Sequence, residues 1–225
     1  MKVFVDSANL GYLEQALARG FVGGITTNPS ILAKEERMDF VEHIHRIIAL
    51  IRRFGTDVPL SVEVFVEDSV EMLDQAVKFV AEFGYPQLAV KVPIGWNELK
   101  VIADLRRRDI LVNCTCCMTF NQATMAALAG ANYVSLFWNR IRDGGADPRT
   151  VVVDTAAALR RAGLRSEIIV GSIRHADDVA DAFVAGADIV TVPPQFLPLM
   201  TEHPKTTEAV QQFLADFRRW SALPG

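Results

Sequence analysis

The chain has 225 residues, of which 50% are hydrophobic and 22% charged, ample for a sizeable core. A net charge of −4 and a pI near 5.6 argue against nucleic acid or an anionic membrane as a bulk electrostatic partner. No run approaches the ~18 apolar residues of a membrane span, and Met1-Lys2-Val3-Phe4-Val5-Asp6 meets a carboxylate too early for a signal peptide, so a cytoplasmic location is expected.

Strand-like and helix-like segments then alternate. Residues 2–6 predict a strand ending in Asp6, followed by a short helix over 9–18 with its cap near Ser7. A second strand, 22–26, ends in Thr26 and leads through the turn Thr27-Asn28-Pro29-Ser30 to a helix around 38–53. The third strand, 60–65, puts Ser61 and Glu63 on one face and Leu60, Val62 and Val64 on the other, because successive strand residues point to opposite sides. A helix over 69–83 follows.

The fourth strand, Gln87-Leu88-Ala89-Val90-Lys91-Val92-Pro93, is an apolar run with an amine near its end, closed by proline. A lysine held there loses hydration, which disfavours its charged form and is expected to lower its pKa. A neutral amine in a dry pocket attacks carbonyl carbon and forms a Schiff base. Two alternatives stand beside this reading. Lys91 could snorkel to solvent, or it could pair with a buried carboxylate, Asp6 or Glu63, and stay charged and inert.

A helix near 97–107 precedes the fifth strand, 110–115, with Asn113 and Thr115 on one face and Cys114 and Cys116 on the other. An odd number of cysteines packed into Cys114-Thr115-Cys116-Cys117 builds no disulfide framework. Alternate strand residues diverge, and His43 and His45 do not share a helix face, so no metal site is expected. The cysteines read as small buried apolar groups. A helix around 121–129 leads to the sixth strand, 132–137, which carries Ser135 and ends in Phe137, with Arg140 just beyond. After a helix over 149–162, the seventh strand, 167–171, is followed by Ser172, Arg174 and a helix over 176–185. The eighth strand, 188–192, carries Thr191, and residues 206–221 form a last helix with Val210, Phe213, Leu214, Phe217 and Trp220 as an apolar stripe.

Eight strand–helix pairs without linker or repeat imply a parallel sheet with helical crossovers. The expected fold is α/β, a (β/α)8 TIM barrel forming a single domain over residues 1–225 with an additional C-terminal helix. An open doubly wound sheet is the rival, but no Gly-rich dinucleotide fingerprint follows the first strand. Barrel chemistry sits at the carboxyl ends of the strands. There the sequence supplies Asp6, Thr26 with Asn28, Glu63, Lys91, Asn113 with Thr115, Ser135, Ser172 and Thr191. A satisfied hydrogen bond at a strand end explains any one of these, and Asn28 before Pro29 suits a turn role equally well; their convergence on one face points to a polar cavity around Lys91. Arginine forks match phosphate oxygens, so Arg140 and Arg174 with Ser172 read as a phosphate clamp.

Asp6, Gly24-Ile25-Thr26-Thr27-Asn28-Pro29-Ser30, Val90-Lys91-Val92-Pro93, Asn113-Cys114-Thr115, Phe137 to Arg140, Gly171-Ser172-Ile173-Arg174 and Thr191-Val192-Pro193 together resemble transaldolase motifs. The similarity is to the small-subunit group that also contains the fructose-6-phosphate aldolases, and it extends to His203-Pro204-Lys205-Thr206. The resemblance implies a class I Schiff-base enzyme with Lys91 as nucleophile and Asp6 as acid or base at the sugar hydroxyl. Glu63 and Thr115, sharing a water, would move protons around the carbinolamine. Thr26, Asn28, Asn113, Ser135 and Phe137 would line the dihydroxyacetone site, and Arg140, Ser172 and Arg174 would hold phosphate. Glu63 and Phe137 stand where the aldolases carry Gln and Tyr, so the resemblance implies transfer of a dihydroxyacetone unit between sugar phosphates in the pentose phosphate pathway. A fructose-6-phosphate aldolase-type lyase and a non-catalytic sugar-phosphate-binding protein are the alternatives. Imine chemistry requires no metal or organic cofactor. The resemblance also implies a homo-oligomer, a decamer of pentameric rings in which the last helix packs on a neighbouring subunit. One departure stands out: Trp138-Asn139 occupies a position where transaldolases usually show a small aliphatic residue and glycine, and the asparagine is closer to the aldolases. Trp138 either packs outward or reshapes the cavity mouth and acceptor preference.

Overall fold

The computed structural model describes residues 1–222. Eight parallel strands pair in chain order and close on themselves: β1 (Lys2–Asp6), β2 (Val22–Thr26), β3 (Leu60–Glu63), β4 (Leu88–Pro93), β5 (Leu111–Cys117), β6 (Tyr133–Phe137), β7 (Glu167–Gly171) and β8 (Ile189–Val192), with β8 returning to β1. The helices are α1 (Leu10–Leu17), α2 (Pro29–Leu32), α3 (Phe40–Arg53), α4 (Ser69–Phe83), α5 (Glu98–Arg106), α6 (Phe120–Leu128), α7 (Trp138–Asp143), α8 (Pro148–Arg161), α9 (Ala176–Ala185) and α10 (Pro204–Ser221). This is the (β/α)8 barrel that the alternation predicts. Two 3-10 turns, Pro194–Phe196 and Pro198–Met200, link β8 to α10.

The period of two along each strand divides the apolar residues between two cores. Outward-facing Leu60, Val62, Leu88, Val90, Val92, Val112 and Val134 pack against the helices. In α3 the matching face is Ile44, Ile47, Ile48 and Ile51, all buried, at the spacing of a helical stripe. Inward-facing Phe4, Ala89, Tyr133, Ile169 and Ile189 make a second, smaller core that fills the barrel's lower half. Gly24 belongs to this floor: a Cβ there would lie 2.4 Å from the Phe4 ring. Only a glycine lets that ring cross the barrel. Above the floor the inward positions turn polar, and strand register sets Glu63, Lys91 and Asn113 side by side on β3, β4 and β5.

The structure amends several local expectations. Asn9, rather than Ser7, caps α1: its Oδ1 accepts from the Tyr12 N–H at 3.0 Å, while Ser7 Oγ accepts from the Asn9 N–H. The Thr27–Ser30 turn opens a helical turn, α2, with Pro29 at its first position and Asn28 Oδ1 accepting from the Ile31 N–H at 3.0 Å. β3 ends at Glu63 rather than residue 65 because the Phe65 N–H leaves the ladder for the Gln75 side chain. α7 was not foreseen, since six residues are too few to display a helical period. Among the described residues no helix is long and apolar enough to cross a membrane. α10 turns its stripe to solvent, with Phe213 70%, Phe217 62% and Trp220 70% exposed, so this helix does not pack on its own barrel.

Candidate active site

A cavity of about 380 Å³ opens at the carboxyl ends of the strands. Lys91 reaches it from β4, whose outward Val90 and Val92 are fully buried and so fix the lysine inward. The amine does not snorkel: its side chain is 6% exposed. Nζ lies 3.0 Å from Glu63 Oε2 and donates to the Thr27 carbonyl oxygen at 3.0 Å. The carboxylate pair weighed against a nucleophilic lysine is therefore present in the resting site. Because Glu63 and Lys91 are register partners on adjacent strands, backbone geometry imposes this contact.

Asp6, at the end of β1, accepts a 2.7 Å hydrogen bond from Thr26 Oγ1, which in turn lies 2.5 Å from Thr191 Oγ1. Burial pushes the Asp6 carboxyl above its ordinary range, and nearby Glu63 adds to the rise; the Lys91 charge and the Thr26 bond act against it without cancelling it. The two carboxylates around one amine thus differ in setting. Glu63 touches the amine directly, whereas burial raises the proton affinity of Asp6.

Beside the lysine on β5, Asn113 is wholly buried; its Nδ2 donates to Ser61 Oγ at 3.1 Å and its Oδ1 accepts from Ser135 Oγ at 2.7 Å. Ser135 lines the cavity, while Asn113 holds it from outside the lining. The strict alternation expected in β5 breaks after Cys114, where the register against β6 shifts and Thr115 and Cys116 together oppose the stretch between Val134 and Leu136. This bulge, with Cys116 at φ 60°, turns the Cys116 thiol into the cavity instead of toward the helices. Cys114 and Cys117 stay buried, their sulfurs 4.0 Å apart. Thr115 is fully buried, outside the cavity lining, with no hydrogen-bond partner for Oγ1 among the described residues. The reading of Cys116 as a buried apolar group is thereby corrected.

At the rim Arg140 stacks its guanidinium 5.3 Å from the centre of the Phe137 ring, and both line the cavity with Ser172. Ser172 holds φ 59°, a left-handed conformation unusual for serine. Strain of this kind gathers at functional sites; among the described residues, two of the three non-glycine residues with positive φ, Cys116 and Ser172, line this one cavity. Arg174 stands apart. Its guanidinium forms a bidentate pair with Asp143, at 3.0 and 2.5 Å, and it is not part of the lining. A clamp with both arginines requires that pair to open.

Of the twelve residues to which the resemblance gives roles, Lys91, Asp6, Glu63, Thr26, Asn28, Ser135, Phe137, Arg140 and Ser172 share the lining. Asn113 and Thr115 lie behind it, and Arg174 beside it. Thr191 and Cys116 also line it; the first carried the strand-end signal, and the second was hidden by the bulge. Trp138 packs outward, 2% exposed within the helical shell, so it does not reshape the mouth.

The model of the transaldolase/fructose-6-phosphate aldolase family matches residues 3–223. Curated relatives from Moorella thermoacetica and Desulforudis audaxviator, each called a probable transaldolase, are 37% and 38% identical over 219 residues, spanning 97% of this chain and 98% of theirs. A probable transaldolase from Dehalococcoides mccartyi is 35% identical over 218 residues, again 97% and 98%. Among solved structures, a thiamine phosphate pyrophosphorylase from Pyrococcus furiosus superposes with a TM-score of 0.61 over 85% of both chains at 12% identity, a likeness of fold alone.

Proposed function

The chain belongs to the transaldolase/fructose-6-phosphate aldolase family, and from that premise we propose that it transfers a dihydroxyacetone unit from a ketose phosphate, sedoheptulose 7-phosphate or fructose 6-phosphate, to an aldose phosphate through a Schiff base on Lys91. The observation that carries this reading is the enclosed amine, with one carboxylate 3.0 Å away and a second whose proton affinity burial has raised. The Glu63 contact need not make Lys91 inert. A carboxylate at that distance is also an acceptor for the proton Nζ must shed before attack.

The freed Nζ lone pair adds to the C2 carbonyl of the ketose, and the carbonyl oxygen, protonated, leaves as water to give the iminium. The electrons of the C3–C4 bond then move toward the iminium, forming the enamine, as the Asp6 carboxylate takes the C4 hydroxyl proton and the shortened aldose departs. An incoming aldehyde is attacked by C3 of the enamine, Asp6 returns its proton to the new hydroxyl, and water hydrolyses the iminium. Thr26 holds the Asp6 carboxyl and is itself held by Thr191, Asn28 and Ser135 meet sugar hydroxyls, and Arg140 with Ser172 takes the phosphate.

Transfer is favoured over simple cleavage because Phe137 lines the cavity and its phenyl ring has no proton to deliver to the enamine. Incubation with fructose 6-phosphate alone should release little dihydroxyacetone, and adding an aldose phosphate should restore turnover. Phe137→Tyr should shift the balance toward release by about 10²-fold, the lower end of what a positioned proton donor contributes. Sustained release of dihydroxyacetone by the parent enzyme without acceptor would make it a lyase; no turnover of either kind would leave only a sugar-phosphate binder.

The exposed stripe on α10 suits a neighbouring copy, in a homo-oligomer of the decameric kind that the family resemblance implies. Phe213→Asp with Phe217→Asp should lower the mass seen by light scattering; an unchanged mass, or a monomeric parent, removes this assembly.

A further inference from the structure

We propose that Asn139 and Asp178 form a buried positioning pair that sets the phosphate affinity of the site by fixing the segment that carries Ser172. The proposal rests on the reading above that Arg140 and Ser172 receive the substrate phosphate. The two residues come from different parts of the chain, Asn139 on α7 after β6 and Asp178 on α9 after β7. They are 3% and 4% exposed.

Apart from contacts with Arg142, their side-chain hydrogen bonds run to the segment after β7 or to one another. Asn139 Nδ2 donates to the Ser172 carbonyl oxygen at 2.8 Å and to Asp178 Oδ2 at 2.7 Å. The same Asp178 oxygen accepts from the N–H groups of Arg174 at 3.1 Å and His175 at 3.0 Å. Arg142, from the far turn of α7, donates to Asn139 Oδ1 at 2.7 Å and approaches Asp178 Oδ1 at 3.4 Å. Residues 172, 174 and 175 are thus held at three backbone points by two side chains, and Ser172 is kept at φ 59°. A left-handed serine persists only where its surroundings over-determine it. Asn139 immediately precedes Arg140, so one short helix anchors the segment and presents the guanidinium. The Asn139 departure from the transaldolase pattern acquires a physical role. It supplies the donor that ties the two phosphate-facing elements together.

Neither side chain touches the reacting carbon or the amine, so the pair should govern where the phosphate binds rather than how the imine forms. Two probes separate these effects: inorganic phosphate as a competitor of fructose 6-phosphate, and dihydroxyacetone captured on the lysine by borohydride. Asn139→Ala and Asp178→Ala should each raise the inhibition constant for inorganic phosphate, and KM for fructose 6-phosphate, by about tenfold, the effect of losing charge-assisted or buried hydrogen bonds. The half-saturating dihydroxyacetone concentration should move by less than about twofold, since that small ketone carries no phosphate. Asp178→Asn can still accept the three bonds at one oxygen and should recover most of the phosphate affinity. Parallel weakening of both probes would mark the pair as general scaffolding and overturn the proposal, as would Asn139→Ala and Asp178→Ala variants that fold and are inhibited by phosphate like the parent. Arg140→Ala separates the two readings. If it leaves phosphate inhibition unchanged, the phosphate site itself is misplaced and this proposal falls with it; if it weakens inhibition while Asn139→Ala does not, the positioning pair alone is refuted.

Discussion

Lys91→Met should lower kcat/KM for transfer from fructose 6-phosphate by at least about 10⁴-fold, the scale seen when a covalent nucleophile is removed. The same substitution should also destabilise the fold. Lys91 sits 3.0 Å from Glu63, with side chains 6% and 17% exposed, and breaking such a pair from one side costs about 3–5 kcal/mol because a carboxylate is left without its counter-charge. For a chain of this size that is a fall in Tm on the order of 10 °C. Removing both partners, Lys91→Met with Glu63→Gln, should recover most of the lost stability and none of the activity, since replacing a whole buried pair is often close to neutral. Residual activity above a thousandth of the parent in Lys91→Met would put the nucleophile elsewhere. A double variant as unstable as the single one would deny that the ion pair is the stabilising contact.

Asp6→Asn should separate activity from stability in opposite directions. Loss of a positioned acid–base group costs about 10²–10⁴-fold in rate, and the loss should fall on carbon–carbon cleavage rather than on imine formation. Borohydride should then trap the intact hexose on the lysine where the parent yields mainly the three-carbon fragment. The stability effect follows from burial, which raises the Asp6 carboxyl above its ordinary 3.8. The folded state holds that proton more tightly than the unfolded chain does. Stability therefore falls as pH rises from the unfolded value through the raised folded one, and below 3.8 both states are protonated and the cost disappears. Asparagine keeps the acceptor for Thr26 without the charge. Its Tm should exceed that of the parent at pH 7, and the gain should shrink as the pH approaches 3.8. A variant less stable than the parent at pH 7 would mean that attraction to Lys91 outweighs the burial of Asp6.

The barrel was legible because eight short apolar runs alternate with helical stripes, and period two alone assigns Ser61, Glu63 and Lys91 to the interior and their neighbours to the helices. Lys91 announced itself as a charge inside an apolar run, and Asp6 as a carboxylate closing another. What period two cannot register is a change of period. The irregularity after Cys114 shifts one residue, brings Cys116 into the cavity and leaves Thr115 behind it, against the alternation expected for β5. Helix α7 is too short for a periodic signal, so the Asn139–Asp178 contact across 39 positions was invisible until the fold joined α7 to α9. Arg174 shows a further limit: sequence gives its proximity to Ser172, but only the structure reveals its pairing with Asp143.

The Lys91 amine should condense with the ketone of a sugar phosphate, a step read by borohydride reduction in the presence of fructose 6-phosphate followed by peptide mapping. One stable adduct is expected, carried by Lys91 and absent from Lys91→Met. No adduct, or an adduct on another lysine while Lys91 remains unmodified, would contradict it.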